Sequence, residues 1–166
     1  MSDITMITGG AGAGKTLHAL ALAKGSPRKA YIATAVSTDA EMEAKITAHK
    51  AERDETYATV EEPLELAHAL HGADADAVII DCITFWVNNL IYYKKDPDKY
   101  FAELIGELSK ADKPVILVTN EVGLGIIPWD KDTRLYAKLL SKINRQLAEI
   151  SDKVILMVSG IPVSVK

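Results

Sequence analysis

Gly9-Gly10-Ala11-Gly12-Ala13-Gly14-Lys15-Thr16 satisfies the pattern G-x-x-x-x-G-K-[ST], and each fixed position has a chemical reason. Small residues let successive backbone N–H groups curl around phosphate oxygens, and a helix starting near Lys15 adds its positive dipole. Lys15 is placed to reach the β- and γ-phosphates of a nucleotide, and the Thr16 hydroxyl to ligate Mg²⁺. A chance match in a chain of this length is on the order of 1% or less. A second ligand for the cation is expected at the end of another strand, and Ala77-Val78-Ile79-Ile80-Asp81 is an apolar run closed by a carboxylate. Such an Asp is common in α/β proteins as a helix cap or a solvated strand end, so Asp81 takes its meaning from the loop.

A third segment carries a nucleophile. Residues Glu41 to Arg53 read as a helix in which Met42, Ile46, His49 and Arg53 are spaced four, three and four apart and share one face. Spacing alone favours a structural histidine at the edge of a core-facing stripe. His18, one turn into the first helix, could face the nucleotide or pack. His68 and His71 bracket the end of a helix and read as solvated, C-terminal positions. Trp86, Tyr92 and Tyr93 make an aromatic-rich helix that is either core or a contact surface for a subunit or a large ligand. Asn120-Glu121, followed by Gly123 and Gly125, reads as a loop at the carboxyl edge of the sheet, where ligands sit in open α/β folds.

These groups need a scaffold, and the chain supplies one. Short β-type runs at Ile4–Thr8, Ala30–Thr34, Tyr57–Val60, Val78–Asp81, Val115–Thr119 and Val154–Val158 alternate with helical stretches near 15–24, 39–53, 63–71, 84–94, 98–111 and 132–150. Several runs are continuously apolar, as expected where helices cover both faces of a parallel sheet. The alternation predicts a three-layer α/β domain with a mostly parallel central sheet and right-handed crossovers. Lys94–Lys99, with Pro97, reads as a loop between two helices.

Length and composition set the outer limits. At 166 residues the chain has room for a single domain, residues 1–166. A domain of that size buries roughly 68–70% of its unfolded surface and needs no staple. Cys82 is the only cysteine, which excludes an internal disulfide and a Cys-rich zinc site and fits a reducing compartment. With 19 basic and 23 acidic residues the net charge is −4, against a nucleic-acid coat but compatible with small phosphorylated ligands. No apolar run approaches a membrane span, and the N-terminus lacks a signal-peptide pattern. A cytoplasmic protein is expected.

The Lys45-Ile46-Thr47-Ala48-His49-Lys50-Ala51-Glu52-Arg53 stretch resembles the R-I-x-x-H-x-x-x-R segment of the bifunctional adenosylcobinamide kinase/adenosylcobinamide-phosphate guanylyltransferases. Gly9–Thr16 is similar to that family's G-G-A-R-S-G-K-S loop, and Tyr31-Ile32-Ala33-Thr34 to its second strand. Asp81-Cys82-Ile83-Thr84 with Asn88-Asn89-Leu90 is similar to its E-C-I-T segment and the helix that follows. The most specific match is Val118-Thr119-Asn120-Glu121-Val122-Gly123-Leu124-Gly125-Ile126-Ile127-Pro128, close to V-T-N-E-V-G-x-G-I-V-P. Asn144 to Ala148 and Val158-Ser159-Gly160-Ile161-Pro162 continue the pattern. The resemblance spans nearly the whole chain.

What the resemblance implies is a P-loop NTPase-like fold, a homotrimer and a cytoplasmic enzyme of cobalamin synthesis. It would phosphorylate adenosylcobinamide with a nucleoside triphosphate (GTP or ATP, with Mg²⁺). It would then transfer GMP from GTP to the resulting phosphate through a GMP–histidine intermediate at His49, releasing pyrophosphate. Nucleotide contacts carried over are Gly9, Gly10, Ala11, Gly12, Ala13, Gly14, Lys15 and Thr16, then Ala33, Thr34 and Ala35. Lys50, Ala51, Glu52 and Arg53 follow the nucleophile, Glu61 would accept from the guanine edge, and Asp81 stands where the family has glutamate. Thr16 and Asp81 are the metal candidates. Lys45, Asp54 and Tyr57 depart from the family's usual arginine, proline and tryptophan, and Ala11-Gly12-Ala13 lacks its loop arginine and serine. Two other functions fit the residues without the resemblance: a different small-metabolite P-loop kinase with a structural His49, and a non-catalytic nucleotide-binding regulator.

Overall fold

The computed structural model describes residues 3–36, 40–51 and 53–166; Glu52 and the side chains of Glu41, Met42, Lys45, Ile46 and His49 lie outside the described residues. Seven strands form one sheet: β1 (Ile4–Gly9), β2 (Lys29–Ala33), β3 (Tyr57–Glu61), β4 (Ala77–Asp81), β5 (Val115–Val118), β6 (Lys153–Val158) and β7 (Ile161–Ser164). Their spatial order is β3-β2-β4-β5-β1-β6-β7, parallel throughout except for the antiparallel β6–β7 pair. The helices are α1 (Lys15–Ala23), α2 (Ala40–Ala51), α3 (Leu66–His71), α4 (Ile83–Tyr92), α5 (Pro97–Leu108) and α6 (Lys131–Ile150).

The central strands are apolar along their length because both their faces are covered. Consecutive residues point to opposite sides of a strand. Ile32, Val78, Ile80 and Leu117 thus pack in a core with Trp86, Phe101, Leu104, Leu140 and Ile143 from α4, α5 and α6. Their strand neighbours Tyr31, Ile79, Ile116 and Val118 pack in a second core with Ala19 and Ala23 of α1. The starts of α5 and α6 are capped by aspartates: Asp96 Oδ1 accepts from Asp98 N at 3.1 Å, and Asp130 Oδ1 from Thr133 N at 2.8 Å.

Three local expectations are revised. The segment 94–99 is not a loop throughout, since Asp96 caps α5 and Pro97 occupies its first turn, where a missing N–H costs nothing. Strand β7 was hidden by Pro162, which removes a ladder donor and is tolerated because β7 is an edge strand. It is joined to β6 through Ser159 and Gly160, both at positive φ (51° and 82°), the twist a two-residue hairpin turn requires. Trp86, expected as a possible contact surface, is 1% exposed. Its ring lies 5.6 Å from that of Phe101, and its indole N–H donates to Leu64 O at 2.7 Å.

Candidate active site

The glycine-rich loop leaves β1 and enters α1 at the carboxyl edge of the sheet. Gly14 caps α1 in the left-handed conformation (φ 87°) with no side-chain hydrogen bond. The first N–H groups of the helix therefore have no side-chain acceptor, which is how a phosphate cradle is made. The hairpin turn between β6 and β7 braces the loop: Gly160 N donates to Ala13 O at 3.1 Å. Lys15 is buried and folds back on the loop, donating to Gly10 O at 2.6 Å and Gly9 O at 3.2 Å. Burial lowers its pKa, opposed by the nearby Asp81 carboxylate.

Asp81 closes β4 beside this loop. Its Oδ2 accepts from Thr16 Oγ1 at 2.7 Å and from Tyr31 OH at 2.6 Å. Burial and the neighbouring carboxylate push the Tyr31 phenol well above its ordinary pKa, so it remains a donor. Residues 11–17, Asp81, Cys82, Phe85, Val118 and Asn120 line a cleft of about 370 Å³. Among the described residues no three His, Cys, Asp or Glu side chains gather to hold a metal.

A second cleft, of about 400 Å³, opens on the same strand edge. Ala33, Ala35, Lys50, Glu61, Glu43 and Thr47 are among its walls. Glu43, Thr47 and Lys50 come from α2 at spacings of four and three, one helix face. Lys50 Nζ pairs with Glu61 Oε1 across the opening. Ala33 and Asp81 are direct partners in the β2–β4 ladder, so the two clefts stand side by side. Beyond the end of α2, the Arg53 guanidinium stacks 3.9 Å above the Tyr31 ring.

The structure thus brings most of the expected site residues to one edge, with exceptions. Thr34 is fully buried and turned inward: its Oγ1 donates to Cys82 O at 2.7 Å and accepts from Cys82 N at 2.8 Å. It joins β2 to β4 rather than lining either cleft. Ala51 is exposed and lines neither. Glu52 and the His49 side chain lie outside the described residues; the backbone of His49 is in α2. His18 lines neither cleft. His68 and His71 are exposed in the last turn of α3, as expected, and His71 Nδ1 lies 2.9 Å from Glu107 Oε1.

Two residues act in ways that spacing did not reveal. Tyr31 serves Asp81 and Arg53 together. Asn144, buried in α6, accepts from Thr119 Oγ1 at 2.8 Å and donates to Asn120 O at 3.1 Å, holding the loop after β5 against the first cleft. The signal for Tyr31 was a hydroxyl-bearing ring in a strand otherwise built of Lys, Ala and Ile. Nothing local marks Asn144.

A mostly parallel sheet, a G-x-x-x-x-G-K-T loop and a Thr–Asp pair at its mouth define a P-loop nucleotide-binding α/β protein. The solved structures agree at the level of fold. A KaiC-like protein from the hyperthermophilic archaeon Pyrococcus horikoshii superposes with TM-score 0.53 and 18% identity, over 93% of this chain and 70% of that one. Sequence comparison is more specific. Residues 5–165 match the family model for cobinamide kinase / cobinamide phosphate guanyltransferase, and the chain belongs to that family. The bifunctional adenosylcobalamin biosynthesis protein CobU of Escherichia coli strain K12 is 37% identical, over 97% of this chain and 98% of that protein. CobP of Pseudomonas aeruginosa PAO1, described in the same words, is 36% identical over 97% and 96%.

Proposed function

We propose that this chain, as one domain, phosphorylates adenosylcobinamide and then transfers GMP from GTP onto the new phosphate. Family membership over residues 5–165 supports both reactions, and the observation that carries them here is the pairing of two clefts on one strand edge. In the first cleft, backbone N–H groups of residues 11–16 hold the triphosphate of GTP or ATP. Lys15 swings from the carbonyls of Gly9 and Gly10 to the phosphates and neutralises charge as the γ-phosphoryl moves to the substrate hydroxyl.

Thr16 Oγ1 and Asp81 Oδ2 are two hard oxygens 2.7 Å apart, a donor set that suits Mg²⁺. Mg²⁺ usually takes one or two protein oxygens and completes its shell with phosphates and water. Bound there, the ion would screen the phosphate charge. The remaining work belongs to Lys15 and the loop backbone.

The second cleft would take the guanylyl transfer, with His49 of α2 as the nucleophile. A neutral imidazole nitrogen bonds to the α-phosphorus of GTP as the bond to pyrophosphate breaks. An oxygen of adenosylcobinamide phosphate then displaces the histidine, which is released unchanged. Glu61 accepts from the guanine N–H edge, Ala33 and Ala35 let the nucleotide lie close, and Lys50 and Arg53 balance phosphate charge. Lys50 must exchange Glu61 for the ligand.

A homo-oligomer, a trimer by family resemblance, is part of this reading. The surface for it is the loop after β5, where Leu124, Ile126, Ile127 and Trp129 stand between 82% and 95% exposed. No described helix is long and apolar enough to cross a membrane, and a cytoplasmic site of action is proposed with the reaction. The test is product analysis: purified protein with adenosylcobinamide, GTP and Mg²⁺ should yield the phosphate ester first, then the GDP-linked corrinoid with pyrophosphate. A phosphate ester that never advances would leave only a kinase.

A further inference from the structure

Tyr31 is buried in the middle of β2, yet it reaches the machinery of both clefts with different parts of one side chain. The hydroxyl at its tip donates to Asp81 Oδ2 at 2.6 Å, the oxygen that also accepts from Thr16. The face of its ring carries the Arg53 guanidinium at 3.9 Å from the centroid. Arg53 lies just past α2, whose Glu43, Thr47 and Lys50 wall the second cleft.

Packing does not demand this residue. Phenylalanine would fill the same volume against Ile79 and the small residues of α1. The hydroxyl adds a bond to a carboxylate, which restricts that group to one orientation. The ring adds a flat, electron-rich platform on which a planar guanidinium stacks with little loss of side-chain freedom.

We propose that Tyr31 is a positioning residue for both half-reactions, its hydroxyl setting the Asp81 carboxylate for phosphoryl transfer and its ring setting Arg53 and the end of α2 for guanylyl transfer. This rests on the two-cleft reading above. It makes separable predictions because one substitution removes the hydroxyl alone and another removes the platform as well.

The test uses the 166-residue chain and the variants Tyr31→Phe, Tyr31→Leu and Arg53→Leu. Three quantities are read: kcat and KM for cobinamide phosphorylation, the rate of GMP attachment to the protein, and affinity for a fluorescent GTP analogue in EDTA. Loss of a hydrogen bond to a charged group is expected to lower the phosphorylation kcat of Tyr31→Phe by about tenfold or more. The same variant should lose less than about threefold in GMP attachment and in analogue binding, since the ring stays. Tyr31→Leu should lower all three by about tenfold, and Arg53→Leu should lower attachment and binding more than phosphorylation. Assays run well below the thermal midpoint of Tyr31→Phe, with its circular dichroism spectrum matching wild type there, separate these effects from unfolding. Equal losses in phosphorylation and attachment for Tyr31→Phe overturn the proposal. A wild-type protein that phosphorylates cobinamide but never takes up GMP overturns the two-reaction reading, and with it the second role of Tyr31.

Discussion

Gly9→Ala should cripple the phosphate loop through the sheet rather than through the ligand. Gly9 ends β1 at φ 148°, and a Cβ there would lie 2.6 Å from the backbone carbonyl oxygen of Met157 and 3.3 Å from its Cβ. Real Cβ atoms essentially never come closer than 3.0 Å, and the atom in the way is backbone. Relief therefore means pushing β1 from β6, which are locked over five register pairs from Thr5–Lys153 to Gly9–Met157. A non-glycine residue in this backbone region costs about 1–3 kcal/mol, and overpacking a close contact costs about 1–3 kcal/mol more.

A total near 3 kcal/mol lowers the thermal midpoint of a chain this long by about 6–12 °C. The assay is calorimetry without nucleotide, because a bound ligand would mask the loss by mass action. The control is Gly10→Ala, where an added Cβ meets nothing within 4 Å; it should shift the midpoint by less than about 2 °C. Nucleotide affinity should fall in Gly9→Ala as well, since Gly9 O accepts from both Lys15 Nζ and Glu121 N. A Gly9→Ala protein as stable as wild type, or a Gly10→Ala protein equally damaged, would refute the reasoning.

Two further outcomes follow from the same geometry. Burial pushes the Cys82 thiol up to about 12, so its thiolate fraction at pH 8 is on the order of a thousandfold below that of an unfolded chain. Native protein should resist a thiol reagent at that pH and react at the rate of opening; fast labelling would contradict the packing around α4. Ile126→Glu places a charge where the side chain is 95% exposed. It should leave the thermal midpoint of the fold within about 2 °C of wild type and reduce the assembled mass measured by light scattering; an unchanged assembly would remove this loop from the interface.

How much of this was legible in the sequence depended on how local each cause is. The glycine loop and the central strands were readable because their constraints lie within a few residues: φ > 0 at Gly12 and Gly14, and apolar side chains on both faces of β1, β4 and β5. Trp86 was ambiguous because α4 buries Ile83, Trp86, Val87 and Leu90 together with Thr84 and Asn89, leaving no polar face from which to infer an outward one. Thr34 looked like a ligand contact, but its hydroxyl is occupied by the Cys82 backbone, 48 positions away in the chain. Tyr31 was the least readable. Its role exists only where residues 31, 53 and 81 meet, and that meeting is set by strand register.

The account stands or falls on His49. Intact-mass measurement after exposure to GTP and Mg²⁺, followed by peptide mapping, tests it directly. The expected result is a mass gain of one GMP, acid-labile and mapped to His49, absent in His49→Ala and discharged by adenosylcobinamide phosphate. A protein that phosphorylates adenosylcobinamide and makes the GDP-linked product without ever carrying that mass, or one whose His49→Ala variant still carries it, would contradict the account.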